Sequence, residues 1–361
     1  MSRLNILRET LRDVPPVGPA FAAIHPVPTE ESRPTRLIDA FGRRLTYLRV
    51  SVTDRCNLRC TYCLPEDADF PFGDRDFLSA QEIETIVGAL VRLGIRRVRL
   101  TGGEPLVRKD VLEIVRRVKA LPGLENLALS TNGTGLARLA PALKAAGVDR
   151  VNISVDSLDP ARFREITRRG DLEEVWRGVE AALAAGLDPV KLNAVLLQSN
   201  REDVERLAAL TLDRPLHVRF IEMMPTAANE HLQPGAFVSA DAARARLEER
   251  FGPLIPTQVG PRTGPAKAFR FRDAVGTVGF ITPLSHTFCA DCNRVRLTSR
   301  GELRLCLFAD RVHPLRHLLA APDPDAALES EILRVVQEKP EEHHLTQGNY
   351  GNLVSFMQIG G

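Results

Sequence analysis

The sequence predicts an α/β protein with a parallel sheet, followed after about residue 225 by a smaller unit of different rhythm. Three observations predict it. Strand-like apolar runs alternate with helix-like stretches between residues 45 and 222. The alternation stops at Met224-Pro225, where short strand-like pieces and Pro/Gly turns take over. The six cysteines fall into one group of three just after the first strand and a second group of three in the later segment. Each segment therefore carries its own candidate metal site.

In chain order, residues 1–35 read as a Pro-rich, loosely ordered extension. Strands are expected over 45–52, 96–101, 126–131, 150–156, 189–197 and 216–222, with helices over 80–93, 109–120, 135–146, 172–185 and 202–210. Ser79 with Glu82 forms a capping box for the first helix. Six strands are too few for a closed eight-stranded barrel, so an open three-quarter barrel and a doubly wound sheet both fit. Beyond the boundary come a helix over 240–251, strand-like pieces over 276–281 and 294–298, a helical segment over 326–339 and a Gly-rich end. The division is therefore 1–35, 36–225 and 226–361.

Hydrophobic residues make up 44% of the chain and charged ones 26%, ordinary values for a globular protein with a sizeable core. With 25 Gly and 25 Pro in 361 residues, collagen-like and wholly disordered readings are excluded. A net charge of +2 and 5% aromatics argue against nucleic-acid partners. No apolar run reaches the length of a membrane span, and prolines and acidic residues interrupt the N-terminal segment. The expectation is a soluble, non-exported, cytoplasmic protein without a membrane partner.

Cys56, Cys60 and Cys63 are spaced C-x-x-x-C-x-x-C, three thiolates within eight residues. Such a loop can wrap three corners of a cubane cluster and leave the fourth iron open. Cys289, Cys292 and Cys306 form the second group; here zinc completed by His286 or His313 and an iron–sulfur cluster both fit the spacing.

Side chains two apart on a strand share a face. One face carries Arg49 and Ser51, then Arg97, Arg99 and Thr101, then Asn152, Ser154 and Asp156, then Lys191 and Asn193, then His217 and Arg219. The other face is Val, Ile, Leu and Phe, suited to packing under helices. Barrel interiors are normally filled by branched apolar side chains, so a cationic interior points to a cavity for a multiply anionic ligand such as a polyphosphate. Gly102-Gly103-Glu104-Pro105 ends the second strand, where glycines let backbone approach a ligand and an acid can take an amino group. Ser130-Thr131-Asn132-Gly133 and Asp156-Ser157 end the third and fourth strands, also at the carboxyl ends where such folds place their sites.

The cysteine spacing after the first strand, with Gly-Gly-Glu-Pro after the second, resembles the radical S-adenosylmethionine superfamily. The second cysteine group and the terminal Gly360-Gly361 narrow the resemblance to the GTP 3′,8-cyclase family of molybdenum-cofactor biosynthesis, from about residue 36 to the end. The resemblance implies an incomplete (β/α)6 TIM-like barrel with a smaller C-terminal iron–sulfur domain, and two 4Fe–4S clusters with S-adenosylmethionine as cofactors. By the same resemblance, Cys56, Cys60 and Cys63 hold the cluster that binds S-adenosylmethionine. Tyr62, Gly103, Ser154 and Met224 lie near that cofactor, and Glu104 faces its amino group. Cys289, Cys292 and Cys306 hold an auxiliary cluster whose open iron meets guanine. Arg49, Arg99, Ser130, Lys191, Arg294 and Arg296 contact GTP, and Arg219 falls on a matching basic position. Arg97 stands where a relative has Lys, which keeps the charge.

The implied reaction is reductive cleavage of S-adenosylmethionine to a 5′-deoxyadenosyl radical, which takes H3′ from the GTP ribose. The C3′ radical then adds to guanine C8 and is quenched to 3′,8-cyclo-7,8-dihydro-GTP. The Gly360-Gly361 tail is implied to enter the barrel and help position Arg294, Arg296 or the cofactor for that step. Implied partners are GTP, an electron donor and the next enzyme, cyclic pyranopterin monophosphate synthase; a homodimer is compatible with the resemblance. Two rivals remain at this point. A peptide-modifying radical enzyme with auxiliary clusters typically carries more C-terminal cysteines. A non-catalytic zinc or iron–sulfur module leaves the cationic face unexplained.

Overall fold

The computed structural model describes residues 35–68, 70, 73–232, 237–258, 264–343 and 356. The expected extension up to residue 34 and the terminal Gly360-Gly361 lie outside the described residues. Strands β1 (Tyr47–Ser51), β2 (Arg97–Thr101), β3 (Asn126–Thr131), β4 (Arg150–Ser154), β5 (Val190–Leu196) and β6 (Leu216–Glu222) fall within the expected runs. They pair in parallel in sequence order. A doubly wound sheet reverses its strand order at a switch point. A steady progression from β1 to β6 is the barrel-type order, and it decides between the two folds the sequence left open.

Helices α1 (Ala80–Leu93), α2 (Val111–Lys119) and α3 (Leu136–Ala146) make the first crossovers. Helices α4 (Pro160–Thr167), α5 (Leu172–Ala184) and α6 (Asp203–Asp213) follow. The capping box of α1 is present: Glu82 N donates to Ser79 Oγ at 3.2 Å, and Ser79 N donates to Glu82 Oε2 at 2.7 Å. Helix α4 lies where the sequence pattern gave no helix, being too short to show amphipathic periodicity. Its start is local chemistry, with Arg162 N donating to the Asp159 carboxylate at 2.9 Å and Pro160 in the first turn.

The later segment supplies α7 (Ala240–Phe251), α8 (Pro324–Val335) and six short strands: β7 (Ile255–Thr257), β8 (Lys267–Arg270), β9 (Thr277–Ile281), β10 (Arg294–Leu297), β11 (Glu302–Arg304) and β12 (His313–Pro314). β9 pairs in parallel with β6, and β10 in parallel with β1. Eight neighbouring strands are thus parallel, two more than the first segment holds. β11 and β12 extend one end of the sheet antiparallel, and β8 and β7 the other. The twelve-stranded sheet runs from β12 to β7 without joining its ends.

The apolar strand face packs under the helices. Val98, Leu100, Val151, Ile153, Val190, Leu192, Val218 and Phe220 are all buried there. At ~1.5–3 kcal/mol for each fully buried side chain, this layer holds the sheet against its helices. The opposite, polar face is left to line the interior.

Candidate functional site

The first cysteine group lies in the loop leaving β1, across the carboxyl ends of the strands. Gly103 N donates to Thr53 O and Glu104 N to Arg55 O, both at 2.8 Å. A Cβ on Gly103 would sit 2.3 Å from Arg55 O, and one on Gly102 2.5 Å from Thr53 O. The close approach the glycines permit is therefore to the cysteine loop itself, not only to a ligand. From the other side, the end of α4 grips the same loop: Thr61 N donates to Ile166 O at 2.9 Å, and Arg168 Nη1 donates to Leu64 O at 2.8 Å.

Glu104 is buried, and its carboxylate accepts from Thr131 Oγ1 at 2.7 Å, Asn132 N at 2.6 Å and Leu106 N at 3.0 Å. Burial pushes its carboxyl up to about 7 against the pull of those donors. The Tyr62 hydroxyl donates to Asp156 Oδ2 at 2.8 Å. Asn229 Nδ2 donates to the carbonyls of Tyr62 and Met224, both at 3.0 Å, tying the cysteine loop to the turn after β6. Burial, with Glu104 beside it, pushes the Cys56 thiol up to about 12. Burial and Asp156 push Cys60 well up, and Cys63 and Cys56 add to it. Thiols this reluctant to ionise become thiolates when a metal takes the proton's place.

The interior face is a set of levels fixed by strand register. Arg296, Arg49, Arg99, Ala128 and Arg150 align across β10, β1, β2, β3 and β4. One step toward the carboxyl ends come Ser130, Asn152, Lys191, His217 and Thr277. A further step brings Ser154, Asn193, Arg219 and Gly279. Lys191 is 1% exposed and Arg99 9%. Burial, then Arg219, Arg150 and Arg99, hold Lys191 well below the usual lysine range. Burial and Arg99 push Arg219 down to about 9, and burial and Arg294 do the same to Arg296. These cations crowd one another, and an anion among them would offset their mutual repulsion. Arg99 Nε, both side-chain atoms of Asn152, Asn193 Oδ1 and the Tyr47 hydroxyl are buried without a hydrogen-bond partner. Buried polar atoms of that kind call for a partner, ligand or water, within the interior.

The second cysteine group flanks the edge of the same sheet, Cys289 and Cys292 before β10 and Cys306 after β11. Arg43 Nη1 donates to Cys289 O at 2.9 Å while its Nε pairs with Asp39 at 2.6 Å. The buried Lys339 Nζ donates to the carbonyls of Arg294 and Leu305. Burial alone would raise the Cys292 thiol, but Arg294 and Lys339 outweigh it and bring it down to about 7. His286 is turned to Asp241 at 2.8 Å, and His313 lies 4.0 Å from Glu338. Of the two histidines a zinc site would recruit, His286 is thus engaged by Asp241. None of the six cysteines is in a disulfide. Among the described residues no three His, Cys, Asp or Glu side chains converge on a single ion. Within each triad the thiols lie close enough to perturb one another, and three thiols per site suit a multi-iron cluster with one iron left open. Phe308 and Phe356 form an apolar patch against which Cys63, Met224 and Cys306 all pack.

Residues 50–211 match the Radical SAM superfamily, and residues 216–345 match the family described as Molybdenum Cofactor Synthesis C. A GTP 3′,8-cyclase of Pelotomaculum thermopropionicum is 46% identical over 324 residues, covering 90% of this chain and 99% of the relative. This chain belongs to the GTP 3′,8-cyclase family. A second cyclase, from Heliobacterium modesticaldum, is 48% identical over 329 residues, covering 90% of this chain and all of the relative. Among solved structures, Streptococcus suis SuiB superposes with a TM-score of 0.54 at 14% identity, over 82% of this chain and 66% of SuiB. That likeness carries the partial-barrel fold alone. Membership of the cyclase family brings S-adenosylmethionine and 4Fe–4S clusters as cofactors, and the two thiol triads fit the clusters.

The cyclase-family residues expected from the sequence are distributed as follows. Arg49, Arg99, Ser130, Lys191, Arg219 and Arg296 lie on the levels described above, and Arg294 begins β10 with its guanidinium 4.9 Å from the Phe288 ring centroid. Ser154 is exposed at the open end of β4, beside Asn193. Tyr62 lies within the cysteine loop, Gly103 and Glu104 border it at the end of β2, and Met224 is tied to it through Asn229. Arg150, Asn229 and Ala128 went unnoticed in the sequence. Arg150 shares strand parity with Asn152 and Ser154, a signal that could have found it. Asn229 has no such signal, because its role is set by two carbonyls that are distant in the chain.

Proposed function

We propose that this chain is a GTP 3′,8-cyclase, converting GTP to 3′,8-cyclo-7,8-dihydro-GTP in the first step of molybdenum-cofactor biosynthesis. The observation that carries the reading is a buried, mutually repelling set of cations inside an unclosed parallel barrel, with a cysteine of each thiol triad packed against one apolar patch. Cys56, Cys60 and Cys63 would hold the cluster that takes S-adenosylmethionine; Cys289, Cys292 and Cys306 would hold the second. When bound, the clusters and S-adenosylmethionine supply one-electron chemistry that generates a carbon-centred radical for abstraction of a ribose hydrogen.

The chain's own residues position the reactants and exclude water. Lys191, Arg99, Arg49 and Arg219 take the triphosphate, with Ser130 beside them. Arg294 and Arg296, next to the second triad, orient the base end. Glu104 presents a carboxylate for the amino group of S-adenosylmethionine, and Tyr62, Gly103, Ser154 and Met224 border the same space. Phe308 and Phe356 keep water from the region between the triads. By the family resemblance, Gly360 and Gly361 belong to the catalytic set with Arg294 and Arg296. Residues 36–225 serve as the S-adenosylmethionine domain, 226–361 as the auxiliary-cluster domain and 1–35 as an extension.

Among the described residues no helix is long and apolar enough to cross a membrane. The reading places the enzyme in the cytoplasm with an external electron donor, able to pair as a homodimer, and passing product to cyclic pyranopterin monophosphate synthase. The test is anaerobic incubation of cluster-loaded protein with GTP, S-adenosylmethionine and dithionite. 5′-Deoxyadenosine and a cyclised nucleotide are expected in equal amounts, and their absence overturns the reading.

A further inference from the structure

Arg150 is the first residue of β4, 5% exposed, on the same level as Arg49 and Arg99. Its Nε and Nη2 are buried without a hydrogen-bond partner. The charged and titratable groups that act on it are Arg99, Tyr47, Arg97, Asp149, Lys191 and Arg219. Of these only Asp149 is a carboxylate, and it is taken by Lys119 at 2.8 and 2.9 Å, Leu127 N at 2.7 Å and Asn126 Nδ2 at 3.2 Å. A buried guanidinium facing other cations, with two nitrogens unsatisfied, lacks its acceptor within the protein. The residue between Arg99 and Arg150 in the level is Ala128, the smallest side chain there. It leaves room for both guanidiniums to converge on one group.

Depth, together with the separation across the sheet between Arg296 on β10 at the base end and Arg150 on β4, identifies that group. Ser154, at the open end of β4, lies four residues above Arg150, about 13 Å at 3.3 Å per residue. A nucleotide whose ribose reacts near the cysteine loop therefore reaches Arg150 with the far end of its phosphate chain. We propose that Arg150 is a substrate-binding residue that takes the terminal phosphate together with Arg99, and that it sets the preference of this site for a triphosphate over a diphosphate. The inference rests on the reading of the site as a GTP site and adds to it a residue that chooses among guanine nucleotides.

The experiment compares wild type, Arg150→Gln and Arg150→Lys, each anaerobic and cluster-loaded, for binding of GTP, GDP and guanosine. Arg150→Gln should weaken GTP about ten-fold or more, as expected for one charge-assisted contact, and change GDP and guanosine less than about two-fold. Arg150→Lys should recover part of the loss. Iron content should stay at the wild-type level. The melting temperature of the nucleotide-free protein should hold or rise, because a buried like charge has been removed. Equal weakening of all three ligands, a lowered melting temperature or unchanged GTP affinity would each overturn the role of Arg150. Wild-type protein that fails to bind GTP at all would instead overturn the reading of the site.

Discussion

Lys191 shows why the interior face is a site and not a core. A lysine at 1% exposure among arginines is destabilising unless something negative shares the space. A charge-assisted contact is worth roughly 1.5–3 kcal/mol, so Lys191→Ala or Arg99→Ala should weaken GTP about ten- to a hundred-fold while leaving guanosine nearly unchanged. Equilibrium binding of both ligands checks this, and equal losses for both would remove the clamp. His217 makes a different prediction. Burial, Lys191 and Arg219 push its imidazole down from 6.5 to about 3, and it hydrogen-bonds Thr277 Oγ1 at 2.7 Å. Because the folded pKa is depressed, the unfolded chain binds the proton first as pH falls below about 6.5, and stability is lost from there toward pH 3. Between pH 7.5 and 5.5 that one group costs ~1.4 kcal/mol. His217→Gln should lose less stability over this interval by about that amount, measured by anaerobic urea unfolding at the two pH values. Parallel pH curves for the two proteins would refute the assignment.

Among the elements, the cysteine loop depends on two strand ends and one helix end. The Gly102-Gly103 turn after β2 lies beneath it, the 131–134 turn after β3 holds it through Asn132 and Asn57 at 2.8 Å, and the end of α4 clamps it from the side. The turn after β2 has no slack, since a Cβ on Gly103 would fall 2.3 Å from a backbone oxygen that cannot rotate away. Gly103→Ala should therefore shift the loop and empty the first thiol triad while sparing the second. Anaerobically prepared variant is expected to hold about half the iron of wild type, with S-adenosylmethionine binding lost. A full complement of iron in the variant would show that the loop tolerates the methyl group.

For the whole molecule, the later segment completes the earlier one. β9 and β10 come from beyond residue 225, yet they border β6 and β1 and bring Arg294 and Arg296 beside Arg49. The second thiol triad is carried to the barrel by the same strand. The whole chain, made without oxygen, should contain about eight iron and eight sulfide, and the Cys289→Ser, Cys292→Ser, Cys306→Ser triple variant about four of each. One or two zinc ions with no sulfide in freshly isolated wild type would exclude the two-cluster protein. Selective loss from the triple variant would show that the first site assembles on its own.

Taken alone, the sequence determined what short-range pattern can encode. The six β/α units, the polar and apolar strand faces, the two cysteine groups and the turn residues at the strand ends are all periodicities or spacings within a few residues. It left open the choice between an open barrel and a doubly wound sheet, which depends on strand order. It left open the parallel pairing of β9 and β10 and the level that joins Arg296 to Arg150, which depend on register between strands up to about 250 residues apart. It also gave no sign of Ala128 as the gap between two arginines, or of Asn229 as the tie between Tyr62 and Met224. Those were decided only by tertiary structure, because a buried polar group acquires its meaning from the neighbours that satisfy it or fail to.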